Sequence, residues 1–211
     1  MRNFRSRVLL SWIGAVTVAG GLGCSSTWAA VVEVQVVGTD GKPLTEAVVF
    51  LESPAAQAAA KPVVNVQVEQ AKRQFTQRVS IVTVGSEVRF PNHDTVRHQV
   101  YSFSPIKTFE LRLYAGTPSN PVLFDKPGIA VLGCNIHDSM VAWIVVVETP
   151  YFGMTNAQGT VRLEGVPAGN FHLRTWHPGL APGAPVLDQA LAVPAAGSKL
   201  SVKLPLVAAS V

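Results

Sequence analysis

Apolar residues in this chain come only in short, Val-rich runs. Examples are "VVEVQVVG" (31–38), "EAVVFLE" (46–52), "VVNVQVEQ" (63–70), "RVSIVTVG" (78–85), "VAWIVVVE" (141–148) and "KLSVKLPL" (199–206). Gly, Pro, Asn and Asp separate them. Apolar and polar residues nearly alternate, which is the period of a half-buried strand, and no segment carries a convincing amphipathic-helix pattern. Strands this short, closed by turn residues, predict an all-β protein of sandwich or barrel type. The clearest break is the Ala-rich, proline-bounded stretch beginning at Ser53, expected to be a linker over 53–61 with room for one helical turn.

Residues 1–29 read differently. Arg2, Arg5 and Arg7 precede an apolar run from Val8 to about Leu22, and small residues follow. That is the pattern of a secretory signal peptide, with the mature chain starting near Ala30 and a periplasmic location expected. "GLGC" (21–24) offers a lipoprotein at Cys24 as the minor alternative, with Gly21 where a bulky aliphatic residue would be wanted. The run falls short of the ~20 apolar residues of a spanning helix, so no stable membrane span is expected in the mature protein. Without the leader, fourteen basic residues face thirteen acidic ones, a net charge of about +1. The basic balance belongs largely to the leader, and nucleic-acid binding loses its compositional support.

Removing Cys24 leaves Cys134 alone in an exported chain, where thiols usually pair. Burial as a small apolar residue is one reason for a lone cysteine; metal ligation is another. In "GCNIHDSM" (133–140), Cys134, His137 and Met140 fall three residues apart. Upstream, "NHDTVRHQV" (92–100) carries His93 and His98. Met140 could serve as core packing, and His98 as a hydrogen-bonded strand histidine. One thiolate, two imidazoles and a distant thioether are also the donor set of a type 1 copper site. Zinc competes for such a set, but structural zinc sites usually carry more thiolates, and a thioether is a poor zinc ligand. His172 and His177 have no cysteine near them in sequence and read as structural.

Residues 62–149 resemble a cupredoxin, the single-copper electron-transfer fold of the plastocyanin and amicyanin type. The residues that carry the resemblance are "VSIVTVGSEVRFPNHDTVRHQVYSF" (79–103) and "VLFDKPGIAVLGCNIHDSMVAW" (122–143). The resemblance implies copper held by His98, Cys134, His137 and Met140. It departs from the usual pattern at Gln99, where an Asn commonly ties the two ligand loops together, and at Asp138, often a proline. "FPNHDTVRHQVYSFSP", "FDKPG", "CNIHDSM" and "ETPYF" also resemble a group of exported cupredoxin-like proteins labelled methylamine-utilization proteins.

A second resemblance frames the first. "VVEVQVVGTDGKPLTEAVVFLE" (31–52) and "TNAQGTVRLEGVPAGNFHLRTWHP" (155–178) are similar to the opening and continuation of a carboxypeptidase regulatory-like domain, a transthyretin-type β-sandwich. The expected organisation is therefore a Greek-key cupredoxin over 62–149 inserted into a smaller sandwich made of 30–52 and 150–207. Function follows as an expectation: a periplasmic type 1 copper protein moving single electrons between unidentified redox proteins. An envelope copper-storage protein and a metal-free binding module are the alternatives. No paired carboxylates, Ser-His-Asp order or phosphate loop suggests substrate chemistry, so an enzyme is not expected. Leu132, Ile136 and Pro105 are candidates for an apolar docking patch beside His137.

Overall fold

The computed structural model describes residues 30–206, and the expectations placed on residues 1–29 lie outside that range. Strand β1 (Ala30–Gly38) and strand β2 (Val48–Glu52) lead into α1 (Pro54–Ala59). This single helical turn starts at Ser53, whose Oγ accepts from the N–H of Ala56 at 3.1 Å, as an N-cap serine does. The chain continues through the short strands β3 (Val66–Gln67), β4 (Gln70–Ala71) and β5 (Gln74–Phe75), then β6 (Val79–Thr83) and β7 (Ser86–Arg89). Longer strands follow: β8 (His98–Ser104), β9 (Lys107–Tyr114), β10 (Val122–Phe124), β11 (Gly128–Gly133) and β12 (Val141–Val147). The last five are β13 (Phe152–Met154), β14 (Thr160–Val166), β15 (Gly169–Trp176), β16 (Leu187–Val193) and β17 (Ser198–Leu204).

The protein is all-β, built as two sandwiches. In the first, sheet β14-β1-β17 faces sheet β13-β2-β15-β16. Their shared core holds Val32, Val34 and Val36 of β1, Leu51 of β2, Leu173 of β15 and Leu204 of β17. Strands before residue 53 thus pair with strands after residue 151. In the second, the five-stranded sheet β6-β12-β11-β8-β9 faces the three-stranded sheet β10-β7-β3. Val88, Phe90, Val100, Phe124, Leu132 and Ile144 fill that interior.

The sandwiches join through strands buried on both faces. In β2, Val49 and Leu51 point into the first core, whereas Val48 and Phe50 point outward. In β12, Ile144 and Val146 point into the second core, whereas Val145 and Val147 point outward. The outward sets meet, with Val79 and Trp176, in a third apolar cluster. This explains why "AVVFL" and "IVVV" are unbroken apolar runs rather than alternating ones: neither face of these two runs sees water. Trp176 and Trp143 approach to 6.3 Å between ring centroids, and the Arg78 guanidinium lies 5.1 Å from the Trp143 ring.

Three elements differ from the sequence expectation. "VVNVQVEQ" yields only the two-residue β3, because Asn65 takes a positive φ of 57° and breaks the run. Val63 N–H goes instead to the hydroxyls of Thr83 and Ser86. Conversely, "KTFELRLY" and "LDQALAV" are the full strands β9 and β16, which the pattern of apolar runs did not bring out. Both end their sheets and leave much of their side-chain surface in water, so burial puts little constraint on their composition.

The seam between the sandwiches is expected to hold the molecule together. Trp176→Ala should cost about 3–5 kcal/mol, the range for truncating a large buried aromatic, read as a lowered denaturant midpoint. A loss below about 1 kcal/mol would mean that the seam contributes little.

Candidate metal centre

One end of the second sandwich gathers the loop 90–97, the loop 134–140 and the hairpin β4–β5. His98 is the first residue of β8 and is wholly buried. It owes its position to an irregularity: His98 pairs with Tyr114 but Val100 with Leu111, so β9 carries one extra residue between them. Bulges of this kind re-aim side chains at sheet ends. Here the bulge leaves Arg112 and Leu113 exposed and turns Tyr114 back inward. The Tyr114 hydroxyl donates to the Phe90 carbonyl at 2.8 Å and accepts from Gln70 Nε2. Burial pushes the Tyr114 phenol up to about 12.

Cys134 follows β11 directly and Met140 precedes β12 directly, so the loop between them is anchored at both ends by neighbouring antiparallel strands. The Met140 N–H donates to the His137 carbonyl at 2.9 Å and closes the turn. Cys134 and Met140 are buried in the same apolar cluster; His137 is partly exposed and Ile136 exposed. Gly133 leaves room for the Tyr101 ring: a Cβ there would stand 2.7 Å from it, and the ring would have to shift.

These elements bring His98, Cys134 and His137 together, one donor atom of each lying within 4.8 Å of the others. His98 Nδ1 is 3.9 Å from Cys134 Sγ, and the two imidazoles are 5.1 Å apart at 60°. His137 Nδ1 is buried and has no hydrogen-bond partner among the described residues. Such an orphan costs about 1–3 kcal/mol when nothing satisfies it. Two nitrogens and a sulfur bound to one ion at about 2.0–2.3 Å would stand roughly 3.5–4 Å apart, close to the spacing found. The donor set and the unsatisfied nitrogen therefore fit a metal ion. Cys134 is a free thiol.

Other candidates fall elsewhere. His93 lies outside this group, its side chain largely exposed and 3.9 Å from Glu69. His172 bonds Asp188, and His177 bonds the Thr45 carbonyl. Gln99 points to the outer face and donates to Glu110 at 2.7 Å, so its side chain does not latch the ligand loops. Leu132 is fully buried, and Pro105 sits in the turn at the far end of β8; of the three patch candidates, Ile136 is the one exposed at this end.

Sequence reasoning missed the frame behind His98. Asn92 is buried and saturated: Nδ2 donates to the Val96 and Tyr114 carbonyls, and Oδ1 accepts from the Asp94 N–H at 2.9 Å. The Asp94 carboxylate then accepts from Lys72 N–H (2.7 Å), Arg73 N–H (2.8 Å) and His98 Nε2 (2.8 Å). Those bonds, that from Arg73 first and that from His98 next, hold Asp94 below the usual carboxylate range. Lys72 and Arg73 form the two-residue turn of β4–β5, both left-handed with φ of 54° and 59°, as a type I′ turn requires. Left-handed backbone costs roughly 1–2 kcal/mol per non-glycine residue; the two N–H bonds to Asp94 offset it. "AKRQ" contains no Gly or Asn, so this hairpin gave no turn signal, and only the Asn-x-Asp spacing of 92–94 pointed to an Asx turn.

No family model matches the chain, and no curated protein matches it either. Several solved structures are similar over part of it. Amicyanin from Paracoccus versutus is 17% identical, with 47% of this chain and 97% of that one covered and a TM-score of 0.34. The purple cupredoxin from Nitrosopumilus maritimus is 18% identical, covering 39% of this chain and 100% of that one, TM-score 0.35. The copper-containing nitrite reductase of Thermus scotoductus SA-01 is 24% identical over 54% of this chain, TM-score 0.38; the chain spans 28% of its length. Among the described residues, no helix is long and apolar enough to cross a membrane.

Tyr114 supplies a pH test of this packing. A free tyrosine ionises near pH 10. Between there and about 12, the folded chain retains a proton that the unfolded chain has lost, so stability falls as pH rises through that window. The difference between alkaline absorbance titrations of wild type and Tyr114→Phe is expected to show a midpoint near 12. A midpoint near 10 would contradict burial of the phenol.

Proposed function

We propose that the chain is a type 1 copper protein of the cell envelope, carrying single electrons between redox proteins, and that it is not an enzyme. His98, Cys134, His137 and Met140 are the copper ligands in this reading. The observation that carries it is the convergence of two imidazoles and one unpaired thiol, with donor atoms within 4.8 Å, at the end of an apolar core. Bound copper would supply the one-electron Cu(I)/Cu(II) couple, for which a thiolate, two imidazoles and a weak thioether are a suited donor set.

The protein's own residues account for the rest. Cys134 and His98 are buried almost completely, so they would shield a metal held there from water on their side. Strand ends hold the loop 134–140 and the Asn92–Asp94 network holds His98, so these donors would move little if a bound copper changed valence. His137 is the partly exposed ligand and stands beside exposed Ile136, which makes its ring edge the natural exit for an electron. We assign residues 62–149 to the cupredoxin unit and 30–52 with 150–207 to a carboxypeptidase regulatory-like host joined by the linker 53–61. A signal peptide over 1–29 and export to the periplasm complete the reading.

Titration of residues 30–211 with Cu(II) should produce intense visible absorption at one equivalent, bleached by ascorbate and restored by reoxidation. Cys134→Ser should abolish it. A colourless titration, or colour retained in Cys134→Ser, would refute the assignment. Colour that forms but cannot be cycled would favour copper storage.

A further inference from the structure

Asp94 has no part in the donor set, yet three hydrogen bonds hold its carboxylate in place. We infer that Asp94 is a positioning residue: it fixes the His98 tautomer so that the Nδ1 lone pair faces Cys134, and its charge biases the site toward the higher valence. The second half of this inference rests on the copper reading; the first half does not.

A neutral imidazole has one N–H, and His98 is buried so completely that no solvent can arbitrate where it sits. Nε2 lies 2.8 Å from an Asp94 oxygen, and an ionised carboxylate only accepts. The proton is therefore on Nε2, and Nδ1 carries the free lone pair, 3.9 Å from Cys134 Sγ. The carboxylate cannot swing away. One oxygen is held by Lys72 N–H and the other by Arg73 N–H, while Asn92 pins the Asp94 backbone. Two residues in left-handed backbone conformation are retained in β4–β5, and their N–H groups converge on this one side chain. A carboxylate behind a ligating imidazole raises its donor strength, and the added negative charge favours Cu(II) over Cu(I).

Two substitutions separate the effects. In Asp94→Asn, the amide oxygen can still accept from Nε2–H, but the charge is gone and one turn N–H faces an amide donor. Asp94→Ala removes acceptor and charge together. The apo protein, with 15N-labelled histidine, reports the tautomer directly through long-range 1H–15N correlations. Wild type is expected to show the proton on His98 Nε2, Asp94→Asn to keep it, and Asp94→Ala to show mixed tautomers. In the copper-loaded protein, Asp94→Asn should lower the Cu(II)-to-Cu(I) affinity ratio about tenfold, at the low end of what losing a partner of a metal ligand costs; this corresponds to a potential higher by about 59 mV for one electron.

An Nδ1 proton in wild-type apo protein, or a pure Nε2–H tautomer in Asp94→Ala, would overturn the positioning role. An unchanged ratio in Asp94→Asn would overturn the electrostatic one. The wild-type spectrum needs no variant to fold. A colourless wild-type titration would sink the copper reading while leaving the tautomer result standing.

Discussion

A histidine without solvent must have both ring nitrogens answered from within the protein, and that requirement organises one end of this molecule. On the Nε2 side of His98 the answer is Asp94. Asp94 in turn is held by a turn whose backbone is left-handed and by the Asx turn of Asn92. On the Nδ1 side the neighbours are a thiol and a second imidazole whose own buried nitrogen has no partner. Burying polar groups unpaired costs free energy that packing alone does not return. An ion shared by these donors would satisfy the orphaned His137 nitrogen, so a metal fits the geometry as well as the residue types.

The remainder of the fold keeps that end still. The β9 bulge sets the direction of Tyr114 and hence the packing beneath His98, and β11 and β12 clamp the loop 134–140 at both feet. Below them, residues 144–147 of β12 are buried on both faces because their outer side chains pack on β2 and β15. The strand that leaves Met140 is thus part of the seam between the sandwiches. Rearranging the site would disturb close-packed apolar layers, and such interiors yield little.

Much of this was legible in the residues. Strand-length apolar runs gave the all-β class, and unbroken runs such as "IVVV" belong to strands covered on both sides. Cys134, His137 and His98 stood out because a lone exported cysteine near histidines is chemically conspicuous. Asp94 did not, since its partners come from a hairpin some twenty residues upstream and nothing in "AKRQ" advertises a turn. Edge strands β9 and β16 were obscured because water, not core, covers much of their surface, and Asn65 broke a run that composition alone made look continuous. Leu132 was taken for surface because loop adjacency says nothing about which face of β11 it occupies.

The most direct measurement is the copper K-edge absorption fine structure of the loaded protein, with Cys134→Ser as reference. One short copper–sulfur shell and one shell of two nitrogens in wild type, with the short sulfur shell missing in the variant, are the expected result. A first shell of oxygen and nitrogen alone, or identical spectra for the two proteins, would contradict the site built around His98, Cys134 and His137.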